Sequence, residues 1–167
     1  MRSRWAEAIP EYETVLALDR NSVFSFFALG VCKLFTGSIE ETIPLIERAI
    51  RLSPRDPTIG VWYSLIGMVY LLQSRTDEAV IWLEKARNAN PALPFVHALL
   101  ASAYGLNGET ERAAAELAEA RRLQGKGSRS SIAGARRSIG SWGVPKIQAL
   151  FESTYFAGLR KAGMPEE

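Results

Sequence analysis

His97 is the only histidine and Cys32 the only cysteine in 167 residues, so few side chains are available for catalysis or metal binding. One of each cannot assemble the usual four-ligand zinc site. A Ser-His-Asp arrangement would have to recruit His97, and none of the three aspartates, Asp19, Asp56 and Asp77, stands beside it in sequence. Those aspartates fall in three separate junctions between apolar segments, so a pair holding catalytic metal ions is not expected either. The string GKGS at 125–128 has some features of a phosphate loop, but the earlier glycine and the preceding strand are missing. His97 falls in a large-residue slot of a helical pattern and reads as a packed side chain. Cys32 reads as a small core hydrophobe. The expectation is therefore no catalytic residue, no metal and no cofactor.

The other chemistry the sequence offers is charge. Of 20 basic residues, seven lie in a stretch without a single acid: Arg121, Arg122, Lys126, Arg129, Arg136, Arg137 and Lys146. The rest of the chain then carries 13 basic and 18 acidic residues. Such cations suit helix C-termini and a solvated loop, or a site for an acidic partner or nucleic-acid phosphate. Trp142 is the only aromatic within that stretch, so the interleaved stacking surface of a single-strand binder is missing.

The elements that must carry these residues are helical. The longest uncharged run, Pro57 to Ser74, contains IGVWYSLIGMVYLLQ (59–73) and reaches 18 residues with Pro, Gly, Ser and Gln inside it. A spanning helix needs about 20 predominantly apolar residues, so no membrane segment is expected. The chain is 47% hydrophobic and 23% charged with a net charge of +2, an ordinary globular balance. A lone cysteine and an opening, MRSRWAEAIPEYE, without an apolar leader set the cytoplasm as the expected location.

A repeat organises the pattern. Tyr63, Ile66, Gly67 and Tyr70 are followed by Ala79, Leu83, Ala86 and Pro91. The same frame recurs as His97, Leu100, Ala101 and Tyr104 with Ala113, Leu117, Ala120 and Gly125. It also precedes, as Phe26, Leu29, Gly30 and Lys33 with Thr42, Ile46, Ala49 and Pro54. Over residues 5–125 the chain resembles the tetratricopeptide-repeat family, with Lys33, Thr42 and Gly125 as departures. The resemblance implies an all-α solenoid of helix-turn-helix repeats that bind protein or peptide segments. Its units are a truncated repeat at 1–22 represented by its second helix, full repeats at 23–59, 60–93 and 94–125, and a degenerate hairpin with a C-terminal capping helix at 126–167. Gly30 and Gly67 are expected where helices approach closely, Pro44 in the first turn of its helix, and residues 57–59 as extra turn residues.

Both ends depart from the frame. The opening matches only a second helix (Ala8, Tyr12, Val15, Arg20), whose uncovered face includes Trp5, which suggests a piece of a longer protein or an intermolecular cap. Residues 131–139 read as a short helix and 145–161 as a helix with an apolar face (Ile147, Leu150, Phe151, Tyr155, Phe156, Leu159). That helix either caps the stack or lies in the groove of this array or a neighbour's. The tail YFAGLRKAGMPEE also resembles the C-termini of some bacterial class III adenylate/guanylate cyclases, implying the regulatory end of a signalling protein, without making this chain a cyclase.

In such an array the first helices line a concave groove. The stripe left over by helix packing is Phe24, Phe27, Val31 and Leu34, then Val61, Ser64, Met68 and Leu71, then Phe95, Ala98, Ser102 and Gly105. Burying each large apolar member is worth roughly 1.5–3 kcal/mol. The large members therefore read either as a docking surface for an amphipathic helix or apolar strip, or as a stripe that packing between repeats and the 145–161 helix largely hide. Lys33 is the only nearby cation, which argues against a carboxylate clamp. The rival readings are a homodimer through the open N-terminal edge and C-terminal helix, and an acidic-partner or nucleic-acid binder through residues 121–146.

Overall fold

The computed structural model describes residues 4–125, 131–139 and 142–167, and Lys126 and Arg129 lie outside the described residues. Helices α1 (Arg4–Leu18), α2 (Val23–Phe35), α3 (Ile39–Leu52), α4 (Ile59–Leu72), α5 (Thr76–Ala89), α6 (Pro94–Leu106) and α7 (Thr110–Gln124) follow the repeat frame. The pairs α2–α3, α4–α5 and α6–α7 are antiparallel hairpins, and each second helix packs on the first helix of the next pair. Ile59 is the first residue of α4 rather than a turn residue. Pro44 is the sixth residue of α3, beyond the first turn, so its missing N–H removes one intrahelical bond.

The three hairpin turns share one solution. Gly37, Ser74 and Gly108 each have positive φ (94°, 61° and 78°). The next residue's N–H then reaches back five residues, from Ser38 to Lys33, Arg75 to Tyr70 and Glu109 to Tyr104, at 2.9 Å each. This is the Schellman stop, which wants a left-handed residue after the helix. Junctions between repeats share another device. Asp19, Asp56 and Asn90 accept N–H bonds from residues two ahead, Asn21, Thr58 and Ala92, at 2.9, 2.8 and 3.0 Å. Two of the three aspartates are thereby explained as turn formers. The third, Asp77, accepts from the Asn107 amide.

Small residues set the hairpin spacing as the repeat requires. A Cβ on Gly30 would lie 2.7 Å from Ile46 Cδ1, and one on Gly67 would lie 2.6 Å from Leu83 Cγ. Ala49, Ala79, Ala86 and Ala113 are wholly buried between helices. Thr42, which stands where the frame has Ala, is buried with its hydroxyl unpartnered among the described residues. At the opening of the array no residue of α1 is buried, but Trp5 is not left uncovered: its ring stacks on Phe35 at 5.0 Å.

Beyond α7, α8 (Ile132–Ile139) leads to a last helix that is not uniform. It runs as α9 (Pro145–Phe151), a π-helical turn (Glu152–Phe156) and α10 (Ala157–Lys161). The segment starts beside the first repeat, where Val144 N–H donates to Phe35 O at 3.0 Å. It finishes on α6, against which α10 packs far more than against α7. At that crossing a Cβ on Gly158 would collide with the Ser102 backbone, and one on Gly105 with the Gly158 carbonyl oxygen. The tail then turns back, and Pro165 O and Glu166 O accept the first N–H groups of α8 (2.8 and 2.9 Å). The helix that closes the array thus lies across the face of its first helices. Among the described residues no helix is long and apolar enough to cross a membrane.

Ser74 holds a left-handed conformation that costs an L-residue about 1 kcal/mol and costs glycine little. Ser74→Gly is therefore expected to raise stability by roughly 0.5–1 kcal/mol, read as a higher urea midpoint at unchanged m-value.

Candidate functional site: an apolar trough partly filled by the C-terminal helix

Helices α2, α4 and α6 form one face, and the segment from Trp142 to Lys161 lies across it. At the α6 end the face is filled. Ser102 and Ala98 are buried, and Ser102 Oγ donates to Tyr155 O at 2.9 Å. That carbonyl belongs to the π turn, whose widened backbone offers acceptors to a neighbouring helix. At the α2 end the face stays open: Phe24 is 67% exposed, and Phe27 and Val31 are half-buried, as are Val61 and Met68 on α4 and Phe95 on α6.

A cavity of about 270 Å³ lies between the first helices and the crossing segment. Phe27, Val31, Val61, Met68 and Phe95 face Trp142, Phe151 and Tyr155 across it. Ser64 is its one hydroxyl from the first helices, and that group already donates to Val61 O at 2.7 Å. Two open hollows continue the trough, one of about 670 Å³ along α1 and α2 and one of about 520 Å³ between the starts of α2 and α4. Ring contacts brace the walls: Phe27 on Trp62 at 6.2 Å, and Phe35 edge-on to Trp142 at 5.7 Å.

Not all of the expected stripe reaches this trough. Leu34 and Leu71 have no exposed surface and belong to the core, a correction to the sequence reading. Ten residues of helix rotate a side chain about 80° away from its starting direction, which carries Leu34 and Leu71 from the trough edge into the hairpin interior. Ser102 and Gly105 are taken by the chain's own α10, and Ala98 is buried beside a small hollow that Tyr155 and Met164 line. The walls that spacing did not supply come from outside the frame: Phe35, Trp142, Phe151 and Tyr155. The apolar face of 145–161 was the available signal for the last two.

Among the described residues of the basic stretch, two cations are taken up in ion pairs. Arg122 pairs with Glu119 (2.7 Å) and Arg136 with Glu152 (2.8 Å), while Lys146 Nζ reaches Gly37 O at 3.4 Å. Arg121 lines a small hollow beneath Tyr155, and Arg137 is exposed. Lys33 is held by Glu41 at 3.0 Å. His97 is 4% exposed, with Nε2 donating to Pro91 O (2.8 Å) and Nδ1 paired with Glu116 (2.6 Å), which also binds Arg87. This trio ties α5, α6 and α7 together. Buried Tyr104 does the same by donating to Glu84 at 2.5 Å and accepting from Arg112; burial, then Glu84, pushes its phenol far above the ordinary value. Burial likewise raises the Cys32 thiol. Among the described residues no cluster of three His, Cys, Asp or Glu side chains could hold a metal ion.

The family model described as tetratricopeptide repeat matches residues 63–93, most of the α4–α5 hairpin and the turn after it. The chain carries a tetratricopeptide repeat. Its architecture is the all-α solenoid of tetratricopeptide hairpins, and solved structures share it. A crystal structure of MamA superposes with a TM-score of 0.65 at 20% identity, over 95% of this chain and 86% of that one. A second MamA structure (MSR-1) gives 0.62 at 23% identity, over 96% and 82%. YrrB, a TPR protein with an unusual peptide-binding site, gives 0.61 at 17% identity, over 95% and 76%. At these identities the likeness is one of fold. Comparison with curated proteins by sequence finds no match.

Glu152 fastens the crossing segment. Its bond from Arg136, then that from Arg160, holds its carboxyl below the ordinary range, with partial burial opposing. A depressed folded value means this stability is complete above the unfolded carboxylate pKa of about 4.3 and fades as pH falls through the folded value. Wild type should therefore lose more stability than Glu152→Gln between about pH 6 and about pH 3, measured as urea midpoints. Separately, Gly158→Val should cost about 1–3 kcal/mol by overpacking the α6 crossing and should increase amide exchange in 145–161 before that in α4 and α5.

Proposed function

We propose that this chain is a non-enzymatic interaction module that docks an apolar or amphipathic helical segment of a partner protein in the open half of the trough. The observation that carries this reading is the pairing of a filled half with an open one along a single face. The chain's own α10 seats on α6, so the face accepts a helix, while Phe24, Phe27, Val31 and Val61 carry it on into the two open hollows beside α2. Half-buried aromatic and methionine side chains around a hollow are the usual anchors of helix-in-groove recognition. The peptide-binding site named for YrrB, a protein of the same fold, supports a peptide-like ligand. The engagement of Lys33 by Glu41 speaks for an apolar contact rather than capture of a terminal carboxylate. The likeness of the tail to cyclase C-termini supports a place at the regulatory end of a bacterial signalling protein.

The homodimer reading has one favourable observation, the exposure of Leu18 (86%) and Val15 (41%) on α1. Sedimentation across a dilution series decides it, because a concentration-independent monomer removes it.

Phe24→Asp and Phe27→Asp place a charge in the open half without touching the α6 crossing. Each is expected to weaken partner capture at least tenfold, the scale of an interface hot spot, while shifting the melting temperature by only a few degrees. Capture unchanged in both variants, compared by quantitative pull-down and circular dichroism, would remove the trough from the binding surface.

A further inference from the structure

The cavity under Phe151 and Tyr155 is a poor place for a peptide backbone. Its lining side chains are apolar apart from the Ser64 hydroxyl, already bonded to Val61 O, and the polar tips of Trp142 and Tyr155. Most N–H or C=O groups inserted there would lose their water without gaining a partner, which is costly. The space therefore favours a ligand that presents mainly carbon. The space, about 270 Å³, exceeds the roughly 150 Å³ of an apolar cavity that admits a benzene ring. It is also not compact. Phe27, Val31 and Trp142 wall both this cavity and the hollow along α1 and α2, so apolar surface runs outward from one to the other. Among the described residues lining that outer hollow, Arg4 is the only charged one.

We propose that this continuous space binds a single unbranched acyl chain, its methylenes between α4 and the π turn and its carboxylate towards Arg4. The roof suits such a guest. Phe151 immediately precedes the π turn and Tyr155 lies within it, their rings 5.9 Å apart and perpendicular, so they offer a face and an edge to an alkyl chain. A carboxylate at the Arg4 end stays in solvent contact, and no charge has to be buried. The assignment does not rest on a protein partner occupying the outer trough, so either can fail alone.

Titration of the full chain with dodecanoate, kept below its micellar concentration and followed by tryptophan fluorescence and calorimetry, tests the assignment. Saturable one-to-one binding is expected. Each methylene removed should weaken it about three- to fourfold, so decanoate should bind about tenfold more weakly than dodecanoate. Arg4→Gln, an exposed substitution, should weaken dodecanoate up to about fivefold and leave dodecanol unchanged. Val61→Phe should weaken uptake of both by narrowing the cavity, and Val31→Phe offers an independent filler should Val61→Phe fold poorly. Absence of saturable uptake overturns the proposal, as does uptake that a folded filler variant leaves unchanged. Equal effects of Arg4→Gln on dodecanoate and dodecanol overturn the orientation.

Discussion

The approach of α10 to α6 is the contact on which the functional surface depends. Gly158 meets the backbone of Ser102, and Gly105 meets the carbonyl of Gly158, at separations that leave no room for a Cβ on either glycine. Backbones this close gain dispersion contacts along the crossing and exclude water from it. The Ser102 hydroxyl completes the contact by satisfying the Tyr155 carbonyl that the π turn presents. A helix held there cannot also lie along α2. One end of the face is thus closed by the chain itself, and the other is left apolar and open.

Polar groups in this molecule are spent between helices rather than displayed. His97, Glu116 and Arg87 tie three helices, as do Tyr104, Glu84 and Arg112 across two hairpins. Glu152 joins Arg136 of α8 to Arg160 of α10, and Arg160 also takes Glu166. Each carboxylate has a cation within reach, so desolvation is offset by charge-assisted hydrogen bonds. The consequence for function is indirect. With histidine and many acids and arginines committed to the scaffold, the roofed part of the trough is lined mainly by carbon, and selectivity there comes chiefly from shape and apolar area.

The departures from the repeat frame show where sequence reading stopped short. Stepping by three and four assigned Phe27, Val31, Val61, Met68 and Phe95 to one face, and these do border one cavity. The same stepping carried Leu34 and Leu71 too far, because a stripe on a 3.6-residue helix drifts round its axis. Seven cations in an acid-free stretch suggested a patch, yet local sequence cannot reveal that Arg136 folds back onto Glu152, sixteen residues on. Trp142 was weighed as a stacking residue for nucleic acid, and in the fold it is a wall of the trough.

The sequence by itself determined the helices, their pairing and the turns between them, since these follow from neighbours at steps of three and four, small residues at fixed slots, and left-handed or Asx stops at each end. Only the tertiary structure decided where the last helix lies. Its amphipathic pattern states that one face must be covered but not by what, and that choice rests on a glycine-to-glycine crossing more than fifty residues apart in the chain. The same crossing decided which part of the apolar stripe became core and which part remained a site.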